Sequence, residues 1–403
     1  MQLVTDLWLE HLVPLPTPPG ALPAHASVAI MGGGIMGTSI AFHLAQAGVR
    51  DIVLLERDTL GSGSSAKPLG GVRATFSDPG NIQLGQRSLE AFERFDREFR
   101  TDIGLRQVGY LFLCRTQAEA DAVAESADLQ NRMGGETRLL DPAQAAALNP
   151  YLDPRALVGA SFSPRDGYAR PARVVAGYRA AAEALGVDVR EHTEVLDIDA
   201  GRVARHAVHT NRGTLEADTL VIAAGAWSRR LGAMVGVELP VEPLRRLIGV
   251  TPALDPPPGD IPFTLDLSTT LYVHGCGDGL LLGISHPDQA PGFGREFDHE
   301  WVPAFDRAAA MVAPSLVGLP LAGGWAGLYE DTPDHNALIG RPDDIDGVLY
   351  ATGFSGHGFL QGPAVGELVR DMYLERESFL DPAPFSAARF GGRESRIAEL
   401  HII

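Results

Sequence analysis

Three glycines, Gly32-x-Gly34-x-x-Gly37, separate a short apolar run (SVAIM, 27–31) from a helix predicted over 38–47. This feature constrains the fold more than any other. A strand that turns through glycines into a helix leaves free backbone N–H groups and the positive end of the helix dipole at the turn. Gly32 permits the tight turn, and Gly34 lets a pyrophosphate approach the backbone. Gly37, with the small Ala41, lets the helix pack close to the strand. A second apolar strand is predicted over 52–55 and ends at Glu56. That acid lies about two dozen residues beyond the turn, where a carboxylate can hold both hydroxyls of an adenosine ribose. It would also repel a 2′-phosphate. Strand, turn, helix, strand and acid in this order predict a Rossmann-like dinucleotide-binding unit.

Two features favour FAD over NAD. The loop GSGSSAKPLGGVR after Glu56 suits wrapping of a pyrophosphate and flavin better than entry into a third strand. Strands predicted over 220–224 and 348–352 run into AAGAW and TGFSGHGF. Both place glycines at strand carboxyl ends, where ligands lie in such sheets.

The wider pattern is α/β with an α+β second domain. Helices are predicted over 81–100, 116–133, 142–148, 172–185, 302–313 and 363–374. Strands are predicted over 110–114, 187–190, 194–198 and 204–210, and 240–300 is strand-like with turns at 256–259 and 275–279. The interleaving predicts a discontinuous FAD-binding domain from 25–110, 155–228 and 340–380. A sheet-based substrate domain from 111–154 and 229–339 would cover its ligand edge. Residues 1–24 read as an N-terminal arm, Pro-rich at its end, and 381–403 as a C-terminal tail.

Composition narrows the function. With 33 basic and 51 acidic residues the net charge is −18, a field that repels phosphate backbones and anionic lipid surfaces. Nucleic-acid and membrane partners are therefore not expected. No apolar run approaches the roughly 20 residues that span a bilayer. The first 20 residues lack the basic start and unbroken apolar core of a secretory signal. Two cysteines, Cys114 and Cys276, form no disulfide framework, so a reduced, cytoplasmic setting is expected. The 12 histidines show no metal-ligand spacing, and no metal is expected. No GxSxG elbow of a serine hydrolase occurs.

Taken together, VAIMGGGIMGTSIAFHLAQAG, SSAKPLGGVRATFS, VGYLFLC, SPRDGYARP, TLVIAAGAWS, PVEPLRR, GLYEDTPDHNALIG and GFSGHGFLQGPAVGE are specific. Over about 27–375 the chain resembles the D-amino-acid oxidase (DAO) superfamily of FAD-dependent oxidoreductases. Within it, the chain is most similar to the branch of sarcosine oxidase and dye-linked proline dehydrogenase β-subunits. The resemblance implies a Rossmann-like FAD domain and a substrate domain with a large mixed sheet over the isoalloxazine. It implies oxidation of the C–N bond of a secondary or N-methylated amine or amino acid. Hydride passes to flavin N5 and the imine hydrolyses. O2 or another acceptor takes the electrons, and a homo-oligomer or a partner subunit is possible within this branch.

Carried over residue by residue, Gly32, Gly34, Gly37 and Glu56 match the ADP-binding positions, with Ile35, Met36 and Arg57 beside them. Ser64, Ser65, Gly70 and Gly71 match the loop next to the flavin. Val195 matches a backbone contact to the adenine end, and Ala224, Gly225 and Trp227 match a second contact strand. Phe354, Gly356, His357, Gly358, Phe359 and Leu360 match the stretch along the pyrimidine edge. Gly327 stands where monomeric sarcosine oxidases attach FAD through cysteine, and the loop after Glu56 has no histidine. One non-covalent FAD is therefore expected. Leu281, Leu360 and Phe76 replace the lysine over the flavin, the carboxylate-binding lysine and the second arginine of those enzymes.

The catalytic candidates are Arg73, Lys67, Tyr272, His286, Tyr329 and His357. A cation at Arg73 can stabilise reduced flavin or bind a carboxylate. Lys67 can assist at flavin N5 or in oxygen reduction. Tyrosine and histidine suit hydrogen bonding or proton acceptance at an amine. Arg245 and Arg246 are candidates for binding an acid group, or for pairing with Glu242. His335 reads as a turn residue. Other readings are a 2-hydroxy-acid flavoenzyme, a flavin-binding assembly or electron-relay partner without turnover, and an NAD dehydrogenase.

Overall fold

The structure, a computed structural model, describes residues 20–200, 205–285, 289–391 and 399. Most of the expected N-terminal arm, and the candidate His286, lie outside the described residues.

Strand His25–Met31 forms the centre of the first sheet. Its apolar residues pair in parallel with Ile52–Leu55 on one side and Gly213–Ile222 on the other. Val348–Thr352 extends the parallel set beyond Gly213–Ile222, and Asp188–Arg190 extends it beyond Ile52–Leu55. Leu338–Gly340 adds an antiparallel edge, and His206–Thr210 with Val195–Asp199 form an antiparallel flap on Gly213–Ile222. The register aligns Met31 with Leu55 and Ile222, and Ile222 with Tyr350. The carboxyl ends of four parallel strands therefore meet along one edge, where connections diverge to either side and leave a crevice.

Helix Ile35–Gln46 starts directly after Gly34, three residues earlier than predicted. The last residues of the glycine turn thus supply the first helical turn. Helix Pro79–Phe99 also starts early. The Asp78 carboxylate accepts from the Gly80 and Asn81 N–H groups, and Pro79 suits the first helical position. Helices Ile35–Gln46, Pro79–Phe99, Pro171–Ala184 and Gly358–Tyr373 pack together over one face of the first sheet.

The second sheet has eight strands in the order Gly323–Asp331, Glu242–Val250, Gly279–Ile284, Leu271–Cys276, Phe263–Asp266, Tyr110–Cys114, Gly159–Ser163, Arg138–Leu140. It is mixed, because Phe263–Asp266 runs parallel to Tyr110–Cys114 while its other pairs are antiparallel. Gly159–Ser163 lies in this sheet, although residues 155–228 were grouped with the first domain from sequence.

The segment read as a tail is tied to the body as far as residue 391. Arg389, 7% exposed, donates through Nε and Nη2 to both carboxylate oxygens of Asp334, each at 2.8 Å, and to the Asn336 carbonyl. Removing one partner of a buried, hydrogen-bonded pair strands the other charge. Arg389→Ala is therefore expected to cost about 3–5 kcal/mol of unfolding free energy, read from a urea midpoint.

Candidate active site

Two cavities, with free volumes of about 970 and 630 Å³, open at the carboxyl edge of the first sheet. They share Ile35, Ser64, Ser65 and Glu330, so the two are parts of one cleft.

The larger cavity is built on the glycine turn. Gly32 has φ +115°, and a side chain there would strike the Ala223 carbonyl. Glu56 ends its strand with one carboxylate oxygen accepting from the Gly33 N–H and the other from the Asp58 N–H, each at 2.8 Å. Burial pushes its carboxyl up, and these two N–H donors oppose the shift. Ser65 Oγ accepts from the Ile35 N–H at 2.8 Å, joining the 61–71 loop to the helix start. Arg57 lies over the Trp227 ring at 3.9 Å. Gly34, Met36, Val195, Ala224 and Gly225 also reach this wall.

The smaller cavity lies between the 61–71 loop, the start of Gly358–Tyr373 and the second sheet. Lys67, Tyr272, Tyr329 and Arg246 supply its polar wall, with Ile248, Leu328 and Phe359 as apolar neighbours. The Tyr272 hydroxyl donates to the Leu247 carbonyl at 2.9 Å. Burial lowers the Lys67 pKa, and nearby Arg295 adds to the shift. Burial raises that of Tyr329, so its hydroxyl stays protonated at neutral pH. Gly327 leaves room for Lys67, whose Cβ stands 2.9 Å from where a side chain at 327 would begin.

Gly356 and Gly358 also line this cavity. Phe354 instead packs in the core, and Leu360 packs with Phe76 and Ile82. Gly37, Gly70 and Gly71 shape the backbone but lie outside both linings. Gly71 pairs with Tyr168 in a two-stranded ribbon.

Two catalytic candidates also sit behind the walls. Arg73 is 4% exposed and stacks on Phe76 at 4.1 Å, with its guanidinium donating to the Thr75 carbonyl. The loop carrying it is held by Asp166, which accepts from Ala74 N–H and Thr75 Oγ1 at 3.1 and 2.9 Å. Burial pushes the Asp166 carboxyl up to about 6. His357 precedes helix Gly358–Tyr373 and packs edge-on to Phe76. His335 pairs with Asp331 at 2.9 Å, as a turn residue would.

Sequence reasoning missed Glu330, which borders both cavities. It follows the run GLY, next to Asp331 at the end of its strand, where a pair of acids reads as an ordinary polar strand end. Its carboxylate accepts from Thr352 Oγ1 at 2.9 Å and Gly353 N–H at 3.0 Å. Burial pushes its pKa up to about 7, and the N–H and hydroxyl donors oppose the shift.

The donor set fits FAD. The glycine turn and helix start line the larger cavity with the Glu56 carboxylate beside them, and the cleft continues past Ser64 and Ser65 to a second chamber. The family of FAD-dependent oxidoreductases (DAO) matches residues 27–372. The chain belongs to this family. Its cofactor is FAD, as the loop and the glycine-ended strands indicated. Among DAO proteins, glycine oxidase of Geobacillus kaustophilus (strain HTA426) is 31% identical over 380 residues, spanning 91% of this chain and 97% of that protein. The 4-methylaminobutanoate oxidase (formaldehyde-forming) of Paenarthrobacter nicotinovorans is 27% identical across 93% of this chain. This chain spans only 47% of that protein's length. The crystal structure of L-proline dehydrogenase from P. horikoshii superposes with a TM-score of 0.87 at 30% identity, covering 93% of this chain and 100% of that one. The mixed α/β architecture with large mixed sheets is thus that of a DAO oxidoreductase. Among the described residues no helix is long and apolar enough to cross a membrane.

Proposed function

We propose that this DAO enzyme oxidises the C–N bond of a small secondary or N-methylated amino acid. The carrying observation is the smaller cavity. It shares its floor with the dinucleotide cleft, and its wall combines a guanidinium, two tyrosines and an apolar patch. The relatives named above are enzymes of glycine, proline and 4-methylaminobutanoate, each an amine with a carboxylate.

FAD, when bound, accepts the hydride from the carbon beside nitrogen. This chain's residues bind and orient. Arg246 holds the substrate carboxylate, and Ile248, Leu328 and Phe359 exclude water from the reacting carbon. The Tyr329 hydroxyl hydrogen-bonds the amine. Loss of hydride from carbon and of a proton from nitrogen leaves an imine, which water hydrolyses. Lys67 brings its side-chain nitrogen near the site where electrons leave to O2 or another acceptor. The FAD is held non-covalently, because neither cavity is lined by a cysteine or histidine among the described residues. A cytoplasmic location belongs to the same reading, since both cysteines are buried and free.

Anaerobic addition of sarcosine, proline or 4-methylaminobutanoate to the yellow protein is expected to bleach its visible absorbance. Bleaching by 2-hydroxy acids and by none of the amines would overturn the proposal.

A further inference from the structure

Glu330 stands where the dinucleotide cleft becomes the substrate chamber. Its carboxylate oxygens lie 3.4 and 3.7 Å from the points where side chains at Gly358 and Gly225 would begin. Both glycines line the cleft, so the carboxylate faces the volume that FAD fills. It rests on Thr352 Oγ1 and the Gly353 and Phe354 N–H groups and forms no ion pair among the described residues. A carboxylate held by neutral donors alone is poorly compensated when water leaves.

We infer that Glu330 is a positioning residue for the cofactor: it takes up a proton as FAD enters the cleft, so the grip on FAD weakens as pH rises. The inference rests on FAD occupying this cleft. The pyrophosphate brings two negative charges, and the flavin and ribityl chain displace water from around the carboxylate. Both effects favour the protonated form. A protonated Glu330 then donates a hydrogen bond into the cleft instead of opposing the anion.

The sign follows from linkage. The free protein has Glu330 poised near neutrality, with a pKa of about 7. If bound FAD raises that value, binding consumes a proton at pH values between the two pKa values. The FAD dissociation constant then rises by up to about tenfold per pH unit in that window and levels off below it.

Other charged groups face the same region. Glu56 lies at the ribose end, where donation from ribose hydroxyls favours its ionised form and gives the opposite sign. Arg246 lies on the neighbouring strand, in register with Gly327. Tyr329 is held protonated by its raised pKa. His335 has its pKa raised by its hydrogen bond to Asp331, and His357 stands at the helix start.

The test is calorimetric titration of the flavin-free full chain with FAD between pH 6 and 9, in buffers of different ionisation enthalpy. The wild type is expected to take up close to one proton per FAD near pH 8 and little near pH 6. Glu330→Gln is expected to take up none there and to hold a nearly constant dissociation constant across the range. Thr352→Val, which removes one donor to the carboxylate, is expected to move the onset to higher pH. His335→Gln is expected to behave as the wild type. FAD binding by the wild type without proton uptake, or undiminished uptake in Glu330→Gln, would overturn the inference and leave the cofactor assignment standing. Failure of the wild type to bind FAD at all would overturn both.

Discussion

Gly34→Val is expected to give a folded protein that purifies without FAD. Gly34 has φ −80° and ψ −168°, extended values open to any residue. A side chain there would meet only the Ser65 hydroxyl, at 2.8 Å, whose displacement gives up its bond from the Ile35 N–H but touches no backbone. The substitution therefore leaves the strand, turn and helix intact. Gly32 and Gly37 differ in this respect. At Gly32 the backbone is left-handed and a side chain would strike the Ala223 carbonyl, while one at Gly37 would strike the Gly32 carbonyl. Changes at those two sites unsettle the fold itself. Valine at 34 acts on the ligand, placing two methyl groups where turn N–H groups open into the cleft. FAD affinity should fall at least about a hundredfold, equivalent to roughly 2.7 kcal/mol. The ratio of flavin absorbance to protein reports cofactor loss, and circular dichroism with a thermal midpoint reports retention of fold. A variant that folds and binds FAD as tightly as the wild type would show that the pyrophosphate does not lie on this turn.

Much of the dinucleotide unit was legible because its signals are local. Strand, glycine turn, helix, strand and Glu56 follow one another within about thirty residues, and each step has a short-range physical reason. Helix 142–148 was placed correctly because Asp141 and Gln144 form a capping box around Pro142. Helix Gly358–Tyr373 was started late, at Pro363. Proline inside a helical pattern reads as a boundary, but here it sits within the second turn of a helix buried on nearly every face.

The second sheet was less legible. The parallel pairing of Tyr110–Cys114 with Phe263–Asp266 joins residues some 150 positions apart, and nothing local announces it. The turns predicted at 256–259 and 275–279 mark the breaks between Glu242–Val250 and Phe263–Asp266 and between Leu271–Cys276 and Gly279–Ile284, but nothing marked the break between Phe263–Asp266 and Leu271–Cys276. The same limit explains the polar groups. Arg73 was expected at the flavin face from its place after two glycines, yet the loop turns its guanidinium into a nest of Phe76, Tyr110 and Phe112. Glu330 is brought to the cleft by the pairing of its strand with Glu242–Val250, a contact the sequence does not reveal.

That pairing also separates the two arginines that sequence could not tell apart. Neighbouring residues on a strand point to opposite faces. Arg245 pairs with Asp298 at 2.8 Å, whereas Arg246 lines the smaller cavity with its guanidinium 5.0 Å from the Tyr329 ring centre. Arg246 Nη1 donates to the Arg245 carbonyl at 3.3 Å, while its Nε is buried without a hydrogen-bond partner. No carboxylate of the described residues pairs with it. A substrate carboxylate supplies the missing acceptor and the missing charge. Arg246→Met keeps most of the side-chain volume and removes both donors and charge. Losing one side of a desolvated charge pair is worth about 2–5 kcal/mol, so kcat/KM for an amino acid should fall about 30- to 5,000-fold. Most of the loss should appear in KM, because the carboxylate is held equally in ground and transition states. The sharper readout is discrimination. The wild type should favour an N-methyl amino acid strongly over its amide, and Arg246→Met should lose most of that preference. Arg246→Lys should restore part of it, since an ammonium supplies charge without the bidentate fork. Equal discrimination in wild type and Arg246→Met would remove Arg246 from the substrate site.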